Sequence, residues 1–283
     1  MNIVLAFACG LLAARVLLHA GHDILASPTL QRTNYRERVL PTAAGLFAVL
    51  AVLTVEAGRS TLGAFGIGEE PGDNPARTLV LFACLGFGLL GFLDDVLGTG
   101  DDRGFKGHLR ALASGRVTTG LCKVIGGVAV AFILASQDDF VTGKRLLSDA
   151  VLIALAANLG NLLDRAPGRT LKLGLLCWIP IAVLAGTGPV GMAIAPVMGA
   201  FAALLGDDLR EKLMLGDTGA NVLGAVLGLA CVLEVGRGAR NVILVALVLL
   251  NLAAEFVSFS RVITRVPPLR AFDELGRKAD PAA

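Results

Sequence analysis

The sequence predicts an all-α polytopic membrane protein, a bundle of about nine transmembrane helices, on three observations. Of its 283 residues 55% are hydrophobic and only 17% charged, with a mean hydropathy of +0.73. A soluble domain carries about 25% charged residues, and it cannot hide this much apolar surface by folding on itself. The apolar residues come in runs of about twenty, the length that crosses a hydrocarbon core as helix, and the short loops between them hold most of the charge. Strands are excluded, because the runs are rich in Leu, Ala and Gly and show no alternation.

Taken in order, the runs predict helices over 2–20, 40–57, 77–97, 117–136, 147–164, 170–186, 188–205, 218–235 and 240–262. The first run lacks a basic start and a small-residue cleavage site, so it reads as a retained helix rather than a signal peptide. The stretch 61–68 is too short to span and reads as loop. Pro180, Pro189 and Pro196 mark places where helices can bend or break. The whole of 1–283 reads as one integral membrane domain, with 263–283 as a basic cytosolic tail.

Charge sets the orientation. With the amino terminus outside, the inner segments hold 17 Lys and Arg and the outer ones 6. Positive charge favours the cytosolic face, so the amino terminus is expected outside and the carboxyl terminus in the cytosol. A net charge of +2, one Trp and one Tyr give neither the basic field nor the stacking surface that nucleic acid requires, so no nucleic-acid partner is expected. The five cysteines lie within apolar stretches without CxxC spacing. They read as small core residues rather than disulfides or zinc ligands.

The inner segments carry the candidate chemistry. After the third helix come Gly91-Phe-Leu-Asp94-Asp95, then Lys106, His108 and Arg110. Two adjacent carboxylates can bind Mg²⁺ with phosphate or divide into ligand and base, although such a pair also suits a solvated helix end. Asn158, Asn161 and Asp164 recur in steps of three, which puts one polar stripe on an apolar helix. Carboxamides can also glue helices together. Here the stripe runs into Asp164, Arg165 and Arg169 at the same end, which favours a site. Asp217, between Gly216 and Gly219, suits both a helix cap and a metal-bound diphosphate at a helix amino terminus. Lys106, Arg110 and Lys123 serve either as inside-face topology charges or to neutralise a diphosphate, and His108 is the only histidine in a motif loop.

At these residues the chain resembles the polyprenyl-phosphate N-acetylhexosamine-1-phosphate transferase family. The motifs run in order: Pro41-Thr-Ala-Ala-Gly45, Leu93-Asp-Asp95, Thr119-Gly-Leu-Cys-Lys123, Asn158-x-x-Asn161-x-x-Asp164 and Leu215-Gly-Asp-Thr-Gly219. The resemblance implies a Mg²⁺-dependent enzyme, with Mn²⁺ as an alternative ion, in the cytoplasmic (inner) membrane. Such an enzyme moves the sugar 1-phosphate of a UDP-linked amino sugar onto a polyprenyl phosphate and releases UMP, and a homodimer is an expected assembly. Carried over by residue, Asp217 is the main metal ligand and Asn161 the second. Asp94 and Asp95 face the lipid phosphate, one of them as base, while Asn158, Asp164 and Lys123 hold the nucleotide and diphosphate.

The chain departs from that family in three respects. It reads Asp164-Arg-Ala-Pro-Gly-Arg169 where relatives continue Asp-Gly-x-Asp-Gly, it lacks a histidine-rich last inner segment, and it has nine predicted helices where about ten are usual. These differences point away from a muramoyl-pentapeptide donor. Two other classes compete with the transferase reading. An intramembrane prenyltransferase also uses Mg²⁺ and acidic helix ends but normally needs two Asp-rich motifs. A non-catalytic transporter or scaffold is the other, and a transporter would place ionisable residues near mid-membrane.

Overall fold

Runs of Leu, Ala, Val and Gly satisfy their backbone polar groups internally only as helix, and the computed structural model is accordingly an all-α polytopic bundle. It describes residues 2–98, 118–137 and 142–278. The long helices are α1 (Ile3–Ala20), α2 (Gly45–Ala64), α3 (Pro75–Leu97), α4 (Thr119–Ala135), α5 (Gly143–Leu163), α6 (Arg169–Ala185), α7 (Pro189–Leu209), α8 (Gly216–Glu234) and α9 (Arg237–Phe256). Among the described residues seven of these are long and apolar enough to cross a membrane: α1, α2, α3, α5, α7, α8 and α9. Two short helices follow, α10 (Phe259–Arg265) and α11 (Pro267–Glu274).

The three largest boundary differences from the sequence reading lie in α2 and α9. Helix α2 starts at Gly45 rather than 40, because Gln31–Thr33 (β1) and Val39–Pro41 (β2) pair as an antiparallel hairpin. It also runs on to Ala64, absorbing residues expected in a loop. The ninth run is divided. Val257 is extended, and the Ser258 side chain accepts a hydrogen bond from Arg261 N, capping a new helix.

Helix α8 is the hub. It packs against α5, α3, α6 and α2, and fourteen of its residues, from Gly216 to Val232, are buried. Small residues bring the backbones together, as membrane helices require when no water is expelled between them. A Cβ on Gly160 of α5 would strike the Ala220 carbonyl oxygen, and one on Gly224 would strike that of Ala156. Gly10 and Gly199 make the same approach between α1 and α7.

Polar groups gather at the two ends of the bundle. At one end Glu56 pairs with Arg59 and Arg77, 2.8 and 2.5 Å away, and Asp149 with Arg240 at 2.9 Å. Pro196 lies within α7, which remains helical through it. Proline offers no N–H to the carbonyl four residues earlier. That carbonyl, of Met192, accepts from Arg59 Nη1 at 3.0 Å instead. The opposite end holds every described segment assigned to the inside by charge.

Candidate active site

All five motifs meet around the first turn of α8, which is itself the last of them. Gly216 has φ +74°, a left-handed conformation that few side chains tolerate. A Cβ there would lie 2.6 Å from Asp95 Oδ2 and 2.7 Å from Ala43 N. The glycine thus turns the chain into α8 and lets two other motifs approach it. The Pro41–Gly45 segment bonds to the residues leading in: Met214 N donates to Pro41 O at 2.8 Å, and Gly45 N to Leu215 O at 3.0 Å. Gly91 gives α3 the same access, because a Cβ there would lie 2.5 Å from the Asp217 carbonyl carbon.

The acidic pair at the end of α3 divides its work. Asp95 accepts from Asp217 N at 3.0 Å and from Thr218 N and Oγ1 at 2.9 and 2.6 Å. It therefore caps α8 from another helix, satisfying amides that begin the helix unpaired. Arg32 Nη2 donates to the Asp95 carbonyl at 2.8 Å and holds the end of α3. Asp217 is thereby freed from the capping role that its place at a helix start suggested. Asp94 Oδ2 accepts from Lys123 Nζ at 2.9 Å, and the same ammonium bonds Asp217 Oδ2. With its amide turned to satisfy both ends, Asn161 donates to Asp217 Oδ1 at 2.7 Å and accepts from Lys123 at 2.9 Å.

Asp94, Lys123, Asn161 and Asp217 thus share one point, carried on α3, α4, α5 and α8. The side chains of Lys123, Asp94 and Asp217 are 18, 20 and 26% exposed, sheltered enough to strengthen their charges yet reachable from solvent. Asp164 ends the α5 stripe beside them. Burial, and then the charges of Asp208, Asp217 and Asp95, push its carboxyl well above the ordinary carboxylate range. With one ammonium against several acids, the site has room for further positive charge.

Mg²⁺ is usually held by one or two carboxylates together with substrate phosphates rather than by an all-protein cage. Asp217 and Asp94 supply hard oxygen donors, Asn161 a carbonyl, and Lys123 now sits where a cation is attracted. Among the described residues no three His, Cys, Asp or Glu form a ready-made cage. The donor set therefore fits an ion that arrives with a diphosphate.

Not every expected residue joins this point. Asn158 donates to Asn251 Oδ1 of α9 at 2.7 Å, so it couples two helices, and the stripe parts company after one step. Lys106 and His108, with Arg110, lie outside the described residues. The sequence reading missed Thr218, Arg32 and Asp208. Asp208 accepts from Gly168 N at 2.7 Å, tying the loop after Asp164 to α7. Its signal was present, since Gly206-Asp-Asp208 repeats the glycine-then-acidic-pair form of the Asp94 motif.

Within the segment 263–283, residues up to Lys278 are docked: Arg169 holds Asp273 through Nε and Nη2 at 2.8 and 2.9 Å, and Asp273 is 5% exposed. An apolar groove of about 460 Å³ lies between α5, α6, α8 and α9, with Gly160 and Leu163 in its wall.

No family model matches the chain. Three curated proteins, each described as a phospho-N-acetylmuramoyl-pentapeptide-transferase, are similar to it. That of Heliobacterium modesticaldum is 27% identical over 263 residues, covering 86% of this chain and 77% of the relative. The Deinococcus radiodurans protein is 27% identical over 69% of this chain and 62% of its own length. The Shouchella clausii protein is 25% identical over 71% and 63%. In the last two comparisons the chain thus spans somewhat less than two thirds of its relative. All three agree with the resemblance carried by the five motifs.

Proposed function

We propose, from a chain that resembles the polyprenyl-phosphate N-acetylhexosamine-1-phosphate transferases, that this protein transfers the sugar 1-phosphate of a UDP-linked amino sugar onto a polyprenyl phosphate. The observation that carries this reading is the convergence of Asp94, Lys123, Asn161 and Asp217 from four separated motifs. Such a reaction needs little covalent help from the protein: an oxygen of the lipid phosphate attacks the sugar-bound phosphorus, the bond to the bridging oxygen breaks, and UMP leaves. Catalysis then rests on position and on charge stabilisation.

Each residue has a part in that scheme. Asp217 and Asn161 hold the oxygen-ligating position for Mg²⁺, which when bound offsets charge on the diphosphate. Lys123 moves from its two carboxylates toward the phosphates and neutralises charge building on the leaving UMP. Asp94 faces the lipid phosphate and takes its proton when the acceptor enters as a monoanion. Asp95 touches no substrate; it keeps α8 in place beneath Asp217. Asp164 lies at the donor's side of the site. The apolar groove beside α5 supports a prenyl-chain acceptor, and the 17 to 6 charge bias supports a site facing the cytosol from the inner membrane.

The test is direct. Purified protein is incubated with polyprenyl phosphate, a panel of UDP-sugars and Mg²⁺, Mn²⁺ or EDTA, and UMP and lipid product are measured. Metal-dependent UMP release that requires both substrates is expected. Transfer of a prenyl group without a nucleotide donor would assign the protein to another reaction.

A further inference from the structure

The last described residues do more than end the chain. Helix α11 and the residues after it lie across three of the segments that bear the site. Arg169, which opens α6 five residues after Asp164, reaches Asp273 with two nitrogens and Ser260 Oγ with a third at 2.9 Å. Arg277 donates to Asp273 Oδ1 at 2.6 Å and to the Pro167 carbonyl at 2.9 Å. Lys172 caps the end of α11, donating to the carbonyls of Phe272, Asp273 and Leu275 at 2.8, 2.7 and 3.0 Å. Lys278 N donates to Leu209 O at 3.3 Å, on the segment leading to Asp217. Its own carbonyl lies 3.5 Å from Arg36, whose guanidinium pairs with Glu211 at 2.5 Å.

We propose that Asp273 is a positioning residue for the transferase site, and that the segment 267–278 is a strap fixing the loop between Asp164 and Arg169 against the segment that leads to Asp217. The inference rests on the function proposed above for what is positioned, but not for the strap itself. Arg169 is 3% exposed and Asp273 5%, so neither serves solvation or membrane sidedness. A buried arginine is retained only with a partner that meets its fork. Asp273 meets that fork, and its remaining contact, Arg277, turns back to the very loop that Arg169 leaves. Asp208 closes the ring by holding Gly168 N. The loop carrying Asp164 is thus bonded on both sides, by α7 and by the strap.

The test compares Asp273→Asn and Asp273→Glu with the native protein in detergent, by hydrogen exchange and by kinetics. In Asp273→Asn, amides of 164–170 and 207–212 exchange at least about tenfold faster while α1, α3 and α8 are unchanged, a local rather than global opening. The KM for the nucleotide sugar rises about tenfold, with the lipid KM and kcat within about threefold, and Asp273→Glu recovers much of both effects. Unchanged exchange in 164–170 overturns the strap, and uniformly faster exchange throughout makes Asp273 a general stability residue. An unchanged donor KM overturns the positioning role. Should the native protein release no UMP with any donor, the proposed function fails, and the exchange comparison still decides whether the strap exists.

Discussion

At the residue scale the site sorts its carboxylates by what already occupies them. Asp217 and Asp94 are held by Lys123 and Asn161, groups that can turn toward a ligand, and Asp94 also meets Thr119 and Asp217. Asp217→Asn and Asp94→Asn are therefore expected to lower UMP release by at least about a hundredfold, with helicity and expression retained, as a circular dichroism and turnover assay would read. Asp95 has both oxygens committed to α8. Asp95→Ala removes a cap and leaves buried donors unsatisfied, so it is expected to destabilise the protein by about 1–3 kcal/mol as well as to reduce activity. A thermal shift in the Asp95 variant, absent from the Asp94 variant, is the check. Asn158→Ala removes the bond to Asn251 and is expected to lower thermal stability while leaving donor KM within about threefold.

At the scale of elements, α7 and α11 each depend on a charge from elsewhere. Arg59 supplies the donor that Pro196 withholds from the Met192 carbonyl. Arg59→Met is expected to destabilise the protein, and adding Pro196→Ala to restore part of the loss, because the returning N–H satisfies the same carbonyl. A double-mutant cycle on unfolding measures this coupling. Helix α11 depends on Arg169, which its Asp273 receives. Burial alone would raise that carboxyl, but the hydrogen bonds and charges of Arg169 and Arg277 together hold it below the ordinary range. A depressed acid stabilises above its unfolded pKa, about 3.9, and loses that contribution as pH falls through the folded value. Proteolytic cleavage within 267–278 is therefore expected to be constant from pH 8 to about 5 and to rise only below about 4.

For the molecule as a whole, the apolar runs made the helices legible, because length and composition alone decide what spans a bilayer. The meeting of motifs was legible as well. The resemblance, rather than spacing or composition, joins Asn161 to Asp217, and the two side chains meet in the structure. What escaped was the assignment of tasks within a motif. Asp94 and Asp95 are identical in composition and adjacent, and only the turn at Gly216 decides which of them meets α8. The strap escaped too, since Arg169 and Asp273 are 104 residues apart in chains of unremarkable charge. The orientation expected from the charge bias is tested with Cys122 and Cys177 replaced: Arg165→Cys should react with an impermeant thiol reagent from the cytosolic side, and Arg237→Cys from the other.

The cap on α8 bears on how the molecule is made. The carboxylate that stoppers this helix belongs to a residue translated 122 positions before the amide it receives. During synthesis α3 is seated in the bilayer well before α8 leaves the ribosome, so the acceptor waits for its donors. Until the two engage, the start of α8 has bare amides at the membrane boundary, and the glycine turn preceding it has nothing to fold around. The cap, and with it the shape of the pocket, can form only once α8 has been made.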